Sequence, residues 1–196
     1  MAEELPELLV ADADAWRAWL AANHATSRGV WLVLTKKGGT VTALDYEQAV
    51  RHALCFGWID GQARSRDGET SYQRLTPRRP RGRWSAKNVG RVDELERAGL
   101  MTPAGRAEVE AAKADGRWEA AYAGPATIEV PADLAEAIAA NPAAQAMFDV
   151  LTSANRFAMI HRVTGVKRPE TRARNIAKQV DMLARGETIY PQKRTP

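Results

Sequence analysis

The sequence has little that would announce a chemistry. It holds one cysteine, Cys55, so no disulfide can form within the chain, which fits a reducing compartment. No apolar run approaches the roughly 18 residues that span a bilayer. The stretch "MAEELPELLVADADAWRAWL" is acidic, without the basic start and apolar centre of a signal peptide. These absences lead us to expect a soluble, cytoplasmic protein. Aromatics are few apart from six tryptophans. There is no GxGxxG, no phosphate loop ending in GKS or GKT, no GxSxG elbow and no HExxH. Three histidines and one cysteine show no metal-ligand spacing, so neither a metal nor a cofactor is expected.

What is present is charge sorted into blocks. The net charge is +4 over 196 residues. Residues 1–63 carry −3, residues 64–91 carry +7, residues 92–160 carry −6 and residues 161–196 carry +6. The first basic block centres on "TPRRPRGRWS", 76–85, with four arginines, two prolines and a tryptophan. Pro77 and Pro80 bias the segment toward extended or polyproline backbone, which would line Arg78, Arg81 and Trp84 along one edge. The segment runs into Ser85, an N-cap candidate, where unpaired amides favour anions. Arginines beside such a place grip carboxylate or phosphate through two parallel hydrogen bonds. The competing reading is structural: Trp84 a core anchor, Ser85 only a cap, and the arginines paired with the acidic helices at 92–136.

The pattern of elements predicts an α+β protein. A helix from Asp12 to about His24 carries Trp16, Trp19 and Leu20 on one stripe, and "GVWLVLTKK", 29–37, reads as a buried strand. Residues 45–57 read as a helix with Asp45 and Gln48 at capping-box spacing and Gly57 at its end. "WIDGQARS" and "TSYQRLT" flank Asp67-Gly68, which predicts a two-residue hairpin turn. That turn would set Arg64 opposite Ser71, Gln62 opposite Gln73 and Asp60 opposite Leu75, a polar face. Ala63 opposite Tyr72 and Ile59 opposite Thr76 would form the apolar one. Strands 30–36 and 58–64 would run parallel through a crossover helix.

From Ser85 onward, caps and glycines predict helices to about Ala98, then over 103–114, 132–140, 142–153 and 154–164, and from Pro169 to Gly186. In the last, Ile176, Val180 and Leu183 face inward. Residues 124–131 read as a linker or a short strand, and the tail "TIYPQKRTP" as extended or frayed. The expectation is therefore a small sheet of three or more strands with a crossover helix, followed by a helical C-terminal half packed against it. Residues 1–124 form the α+β region with the arginine motif and 125–196 the helical region, together one compact unit.

Three arrangements could carry chemistry. Asp60, beside the arginine segment, is a candidate acid/base or an arginine partner. His52 and Cys55 lie three apart on one helix, so a thiolate–imidazole pair is conceivable, against the simpler reading of a small buried hydrophobe. In "VKRPETRARNIAKQV", Arg172, Arg174 and Lys178 share one side of the last helix, as a solvated face or as the completion of an anion pocket.

"ALCFGWIDG" (53–61), "YQRLTPRRPRGRWSAKNVGRVDELERAGLMTPAG" (72–105), "AKADGRW" (112–118) and "KRPETRARNI" (167–176) together resemble the YdeI/OmpD-associated, or bacteriocin-protection, family. The resemblance runs from about Trp16 to Gly186. Gly82 departs from it, standing where serine is expected. It implies a bacterial stress or antimicrobial-tolerance role, an association with a porin or other membrane protein, and a C-terminal helical region of the type that names the family. It transfers Trp58, Asp60, Arg78, Arg79, Arg81, Trp84, Ser85 and Asn88 as site positions, followed by Lys167, Glu170, Thr171 and Arg172, and Arg64 joins them from the hairpin register.

Three functions follow as expectations. The first is binding of an anionic small molecule or peptide group at the arginine-rich loop. The second is an enzyme of unspecified reaction with Asp60 as acid/base and the arginines stabilising negative charge. The third is a nucleic-acid or partner-protein binder using both basic blocks. Nucleic acid ranks last, because no such motif is visible and aromatics do not alternate with basic residues along an exposed strand.

Overall fold

The computed structural model describes residues 5–124, 128–166 and 168–196, in two units, Met1–Ala121 and Tyr122–Pro196. In unit 1 the elements are β1 (Glu7–Leu8), α1 (Ala13–Asn23), β2 (Val30–Thr35), α2 (Tyr46–Cys55), β3 (Trp58–Ser65), β4 (Thr70–Pro77), α3 (Ala86–Arg97) and α4 (Pro103–Ala114). The four-stranded sheet has the order β1-β2-β4-β3, and β4 is antiparallel to both β2 and β3. So β2 and β3 do run the same way with α2 between them in the chain, but β4 is inserted between them. Strand β1 was not read from the sequence. It is two residues long and pairs in parallel with Trp31 and Leu32.

The helix ends follow from their caps. Asp45 accepts from the Gln48 amide while the Gln48 side chain accepts from the Asp45 amide. Thr102 caps α4 with Pro103 at its first position. Val30, Leu32, Leu34 and Leu75 turn one side of the sheet toward α1 to α4, where Trp16, Leu20, Leu54, Trp58, Trp84 and Leu95 complete the core. Two of the buried indoles keep their hydrogen bonds, Trp16 Nε1 donating to Ala49 O at 3.0 Å and Trp58 Nε1 to His24 O at 3.2 Å, while the buried Trp84 Nε1 finds no acceptor among the described residues.

The hairpin departs from its expected turn. Ile59 does oppose Thr76 and Asp60 does oppose Leu75, but a bulge between Asp60 and Ala63 shifts the rest by one, so Arg64 opposes Tyr72 and Ser65 opposes Ser71. Gly68 is not among the positive-φ residues, so the turn is not the mirror-type one. Asp67 closes it instead, accepting from Thr70 Oγ1 at 2.8 Å and from the Thr70 and Glu69 amides at 2.7 and 2.9 Å. Those bonds, the Thr70 hydroxyl foremost, pull the Asp67 carboxyl down to about 2.

Unit 2 contains α5 (Ala132–Ala139), α6 (Pro142–Asp149), α7 (Ser153–Thr164) and α8 (Pro169–Ala184). Leu134, Ile138, Met147, Met159, Ile160, Val163, Ile176 and Leu183 form its own core. The tail is not frayed. Buried Asn155 accepts from the Tyr190 amide at 2.8 Å and donates to Tyr190 O at 3.0 Å. Part of the expected linker, 125–127, lies outside the described residues. Among those described, no helix is long and apolar enough to cross a membrane.

One close approach fixes how α4 meets α2. A Cβ on Gly105 would lie 2.3 Å from Cys55 O, with backbone on both sides. Thr102 also donates, through its amide and its hydroxyl, to that same carbonyl. Gly105→Ala should therefore destabilise the protein by about 1–3 kcal/mol, read by urea unfolding; an unchanged midpoint would contradict the packing described.

Candidate functional site: an arginine groove on the outer sheet face

Residues on a strand alternate between faces, so the register decides which side chains meet. Leu75 faces the core, and its partner Asp60 shares that side. Arg74 and Thr76 therefore face outward, with Ile59 opposite Thr76 and Trp31 opposite Arg74. On this outer side lies a groove of about 580 Å³, walled by Ile59, Thr76, Pro77, Pro80 and Gly82. Arg28, Arg74, Arg78, Arg79 and Arg83 also line it, and among the described residues no carboxylate does. Arg74 and Arg79 make no ion pair among the described residues.

The loop that carries three of these arginines is folded, not a polyproline rod. The Gly82 amide donates to Arg79 O at 2.9 Å, closing a turn with Pro80 and Arg81 at its centre. Arg81 takes φ 63, the left-handed conformation that the third position of a type II turn demands. A Cβ on Gly82 would meet Arg79 O at 3.0 Å, so the expected serine fits there only if that carbonyl gives way. Arg78 anchors the loop. Its amide donates to Gly57 O at 3.0 Å, and its guanidinium carbon lies 3.4 Å from the Trp84 ring centroid. The Trp84 ring meets Trp118 edge-on at 4.9 Å.

The expected constellation therefore divides. Arg78 and Arg79 reach the groove. Arg81 turns away toward Asp115, whose carboxyl is held low chiefly by its hydrogen bond from Arg117 and further by Arg81. Trp84 is a core residue that carries Arg78 on its face, and Trp58 is core beside Trp16 and Trp19. Ser85 caps α3 by accepting from the Asn88 amide at 3.2 Å. The buried Asn88 side chain accepts from Arg91 Nη1 at 2.7 Å. Arg28, Arg74 and Arg83 belong to the groove and were not chosen from the sequence. The alternation Tyr72, Arg74, Thr76, Arg78 along β4 and just past its end is the signal that could have found Arg74.

Asp60 lies on the opposite side of the sheet from the groove. It accepts from the Tyr46 hydroxyl at 2.7 Å, and burial together with this bond raises the Tyr46 pKa above its ordinary value. Beside it Arg91, 6% exposed in its side chain, makes a paired contact with Glu47. Asp60 is thus part of a polar network at the start of α2 and is no partner of the groove arginines. Arg64, displaced by the bulge, leaves Asp60's side and lies over Trp31 and Tyr72, 4.1 and 4.8 Å from their centroids.

Cys55 is buried, and loss of solvent pushes its thiol up. Burial likewise pushes His52 down, and the His52 Nδ1 atom faces Arg17 Nη1 at 3.4 Å. A raised thiol beside an imidazole turned toward a cation is a poor nucleophile. In unit 2, Arg172 is held by Asp133 through two hydrogen bonds of 2.7 and 2.8 Å and donates to Val163 O at 3.0 Å. Lys167 lies outside the described residues. Among the described residues, no group of three or more His, Cys, Asp or Glu side chains is placed to hold a metal.

Comparison with known proteins divides the chain as its geometry does. Residues 8–108 match the family model described as Domain of unknown function (DUF8412), and residues 127–186 match Bacteriocin-protection, YdeI or OmpD-Associated. The first match covers more than half of the chain, which belongs to that family. The second confirms the bacteriocin-protection resemblance over unit 2 and is consistent with a stress or bacteriocin-protection role. The motif series at 53–105 falls inside the first match. Neither the curated proteins nor the solved structures gave a match.

Arg81→Gly should relieve the left-handed strain, stabilising the protein by about 1 kcal/mol in thermal unfolding. Loss of stability would mean that the Arg81 side chain, and not its backbone, holds the loop.

Proposed function

We propose that unit 1 binds an anionic small molecule or peptide group in the arginine groove, within a stress or antimicrobial-tolerance role. The observation that carries this reading is the lining itself: five guanidinium groups and, among the described residues, no acid. Arg74 and Arg79, neither in an ion pair among the described residues, carry positive charge that a negatively charged guest would offset. The loop backbone is already turned, and Arg78 already stacked, before any guest arrives, so little backbone freedom remains to be lost on binding. Planar guanidiniums suit carboxylate and phosphate oxygens, each charge-assisted bond being stronger than a neutral one.

An acid/base enzyme built on Asp60 draws less support, because that carboxylate and the groove occupy opposite faces of one sheet. The proposal is tested by thermal unfolding with phosphate, sulfate and a dicarboxylate. Phosphate at about 100 times its Kd should add roughly 2.7 kcal/mol of stability. Arg74→Ala with Arg79→Ala should weaken that response at least tenfold, and Arg172→Ala should leave it unchanged. A flat response across the anions, or equal loss in the Arg172 variant, would overturn the reading.

A further inference from the structure

The groove does not end at its own walls. Arg74, which lines it, pairs across the sheet with Trp31. Trp31 is half-buried, and its ring lies 6.1 Å from that of Tyr72 at 63°. Between them, at 4.1 and 4.8 Å from the two centroids, sits the guanidinium of Arg64, an exposed residue with no ion pair among the described residues. Cationic groove and aromatic face thus form one continuous strip along β4. From Arg78 to Tyr72 it spans about 20 Å at strand rise. At its aromatic end the strip meets Glu7, which pairs in register with Trp31, accepts from the Tyr72 hydroxyl and, with Asp67, neutralises Arg66 at 2.9 and 2.8 Å.

We infer that the anion held by the groove is the backbone of a single-stranded nucleic acid, with bases stacking on the Trp31–Arg64–Tyr72 face. This rests on the groove being an anion site and names the class of its guest. A lone phosphate or carboxylate uses one end of the strip and leaves the stack idle. A peptide of aspartate and glutamate alone matches the charge but offers no rings. A strand of phosphates with a ring at each unit matches both, because bases stack on aromatic and guanidinium planes while a basic groove follows the backbone. Bases locked in a duplex cannot reach such a face. Tyr72 and Arg74 along β4 and Arg78 just past its end already alternate, and pairing with β2 and the bulge that moves Arg64 add Trp31 and a further cation to the same face.

The test measures binding of a labelled oligothymidylate of about 12 nucleotides by fluorescence anisotropy, beside inorganic phosphate, a duplex of equal length and oligoglutamate. The single strand should bind at least tenfold more tightly than phosphate and quench tryptophan emission, a quench reduced in Trp31→Phe. Arg64→Ala, at an exposed position, should weaken it at least fivefold. The slope of log K against log salt should approach −0.7 per phosphate neutralised, and shrink by about that amount in Arg79→Ala. Phosphate binding with no preference for the strand, or equal binding of duplex or oligoglutamate, would overturn this inference and leave the groove reading standing. Absence of binding by strand and phosphate alike would overturn both.

Discussion

The cation laid flat on an indole sets the terms for unit 1. Arg78 is 8% exposed, a rare depth for a guanidinium, and its plane rests on the ring of Trp84, itself held edge-on by Trp118. Such a contact is worth about 0.5–2 kcal/mol, more as water is excluded. Its larger effect is geometric. Tied to Gly57 O at one end and to the Trp84 face at the other, Arg78 fixes the start and the finish of one loop. The turn at Pro80-Arg81 then has only one way to close, and it leaves Arg79 and Arg83 on the groove side and Arg81 outside.

The second constraint is one extra residue in β3. Without the bulge after Asp60, Arg64 would share the side of Asp60 and Gln73, and a single polar patch would face α2. With it, the acid and the arginine part company. Asp60 remains among Tyr46, Glu47 and Arg91, under the start of α2. Arg64 crosses to Trp31 and Tyr72, where a cation over two aromatic rings replaces an ion pair. A one-residue change of register therefore separates the expected polar face into a network around Asp60 and a cation–aromatic cluster around Arg64.

Much of the fold could be read directly from residue types. Asp45 with Gln48, Thr102 with Pro103, Asn141 with Pro142, and Ser85 mark helix starts, because local hydrogen bonds decide such starts within a few residues. The apolar face of the last helix was equally legible. What could not be read depends on partners distant in sequence. Strand β1 forms only because β2 offers it an edge. The bulge answers to the pairing of β3 with β4, and Asp67 closes its turn through Thr70, so the Asp-Gly signal for a mirror-type turn misled. Within the site, Arg78 and Arg79 were legible from their density. Arg28, Arg74 and Arg83 needed the register and the turn, and Asp60 looked close only because sequence distance conceals which face a residue takes. The two family matches echo this division, one covering the sheet with its groove, the other covering a helical unit with a core of its own.

The central claim is that the groove arginines act together on one negative charge. Nitrogen–proton correlation spectra of the arginine Nε–H groups during a phosphate titration address it most directly. The account predicts large, saturable shifts for Arg74, Arg79 and Arg83, with a common midpoint, and little change at Arg172. Small shifts spread evenly over all exposed arginines, without saturation, would contradict it.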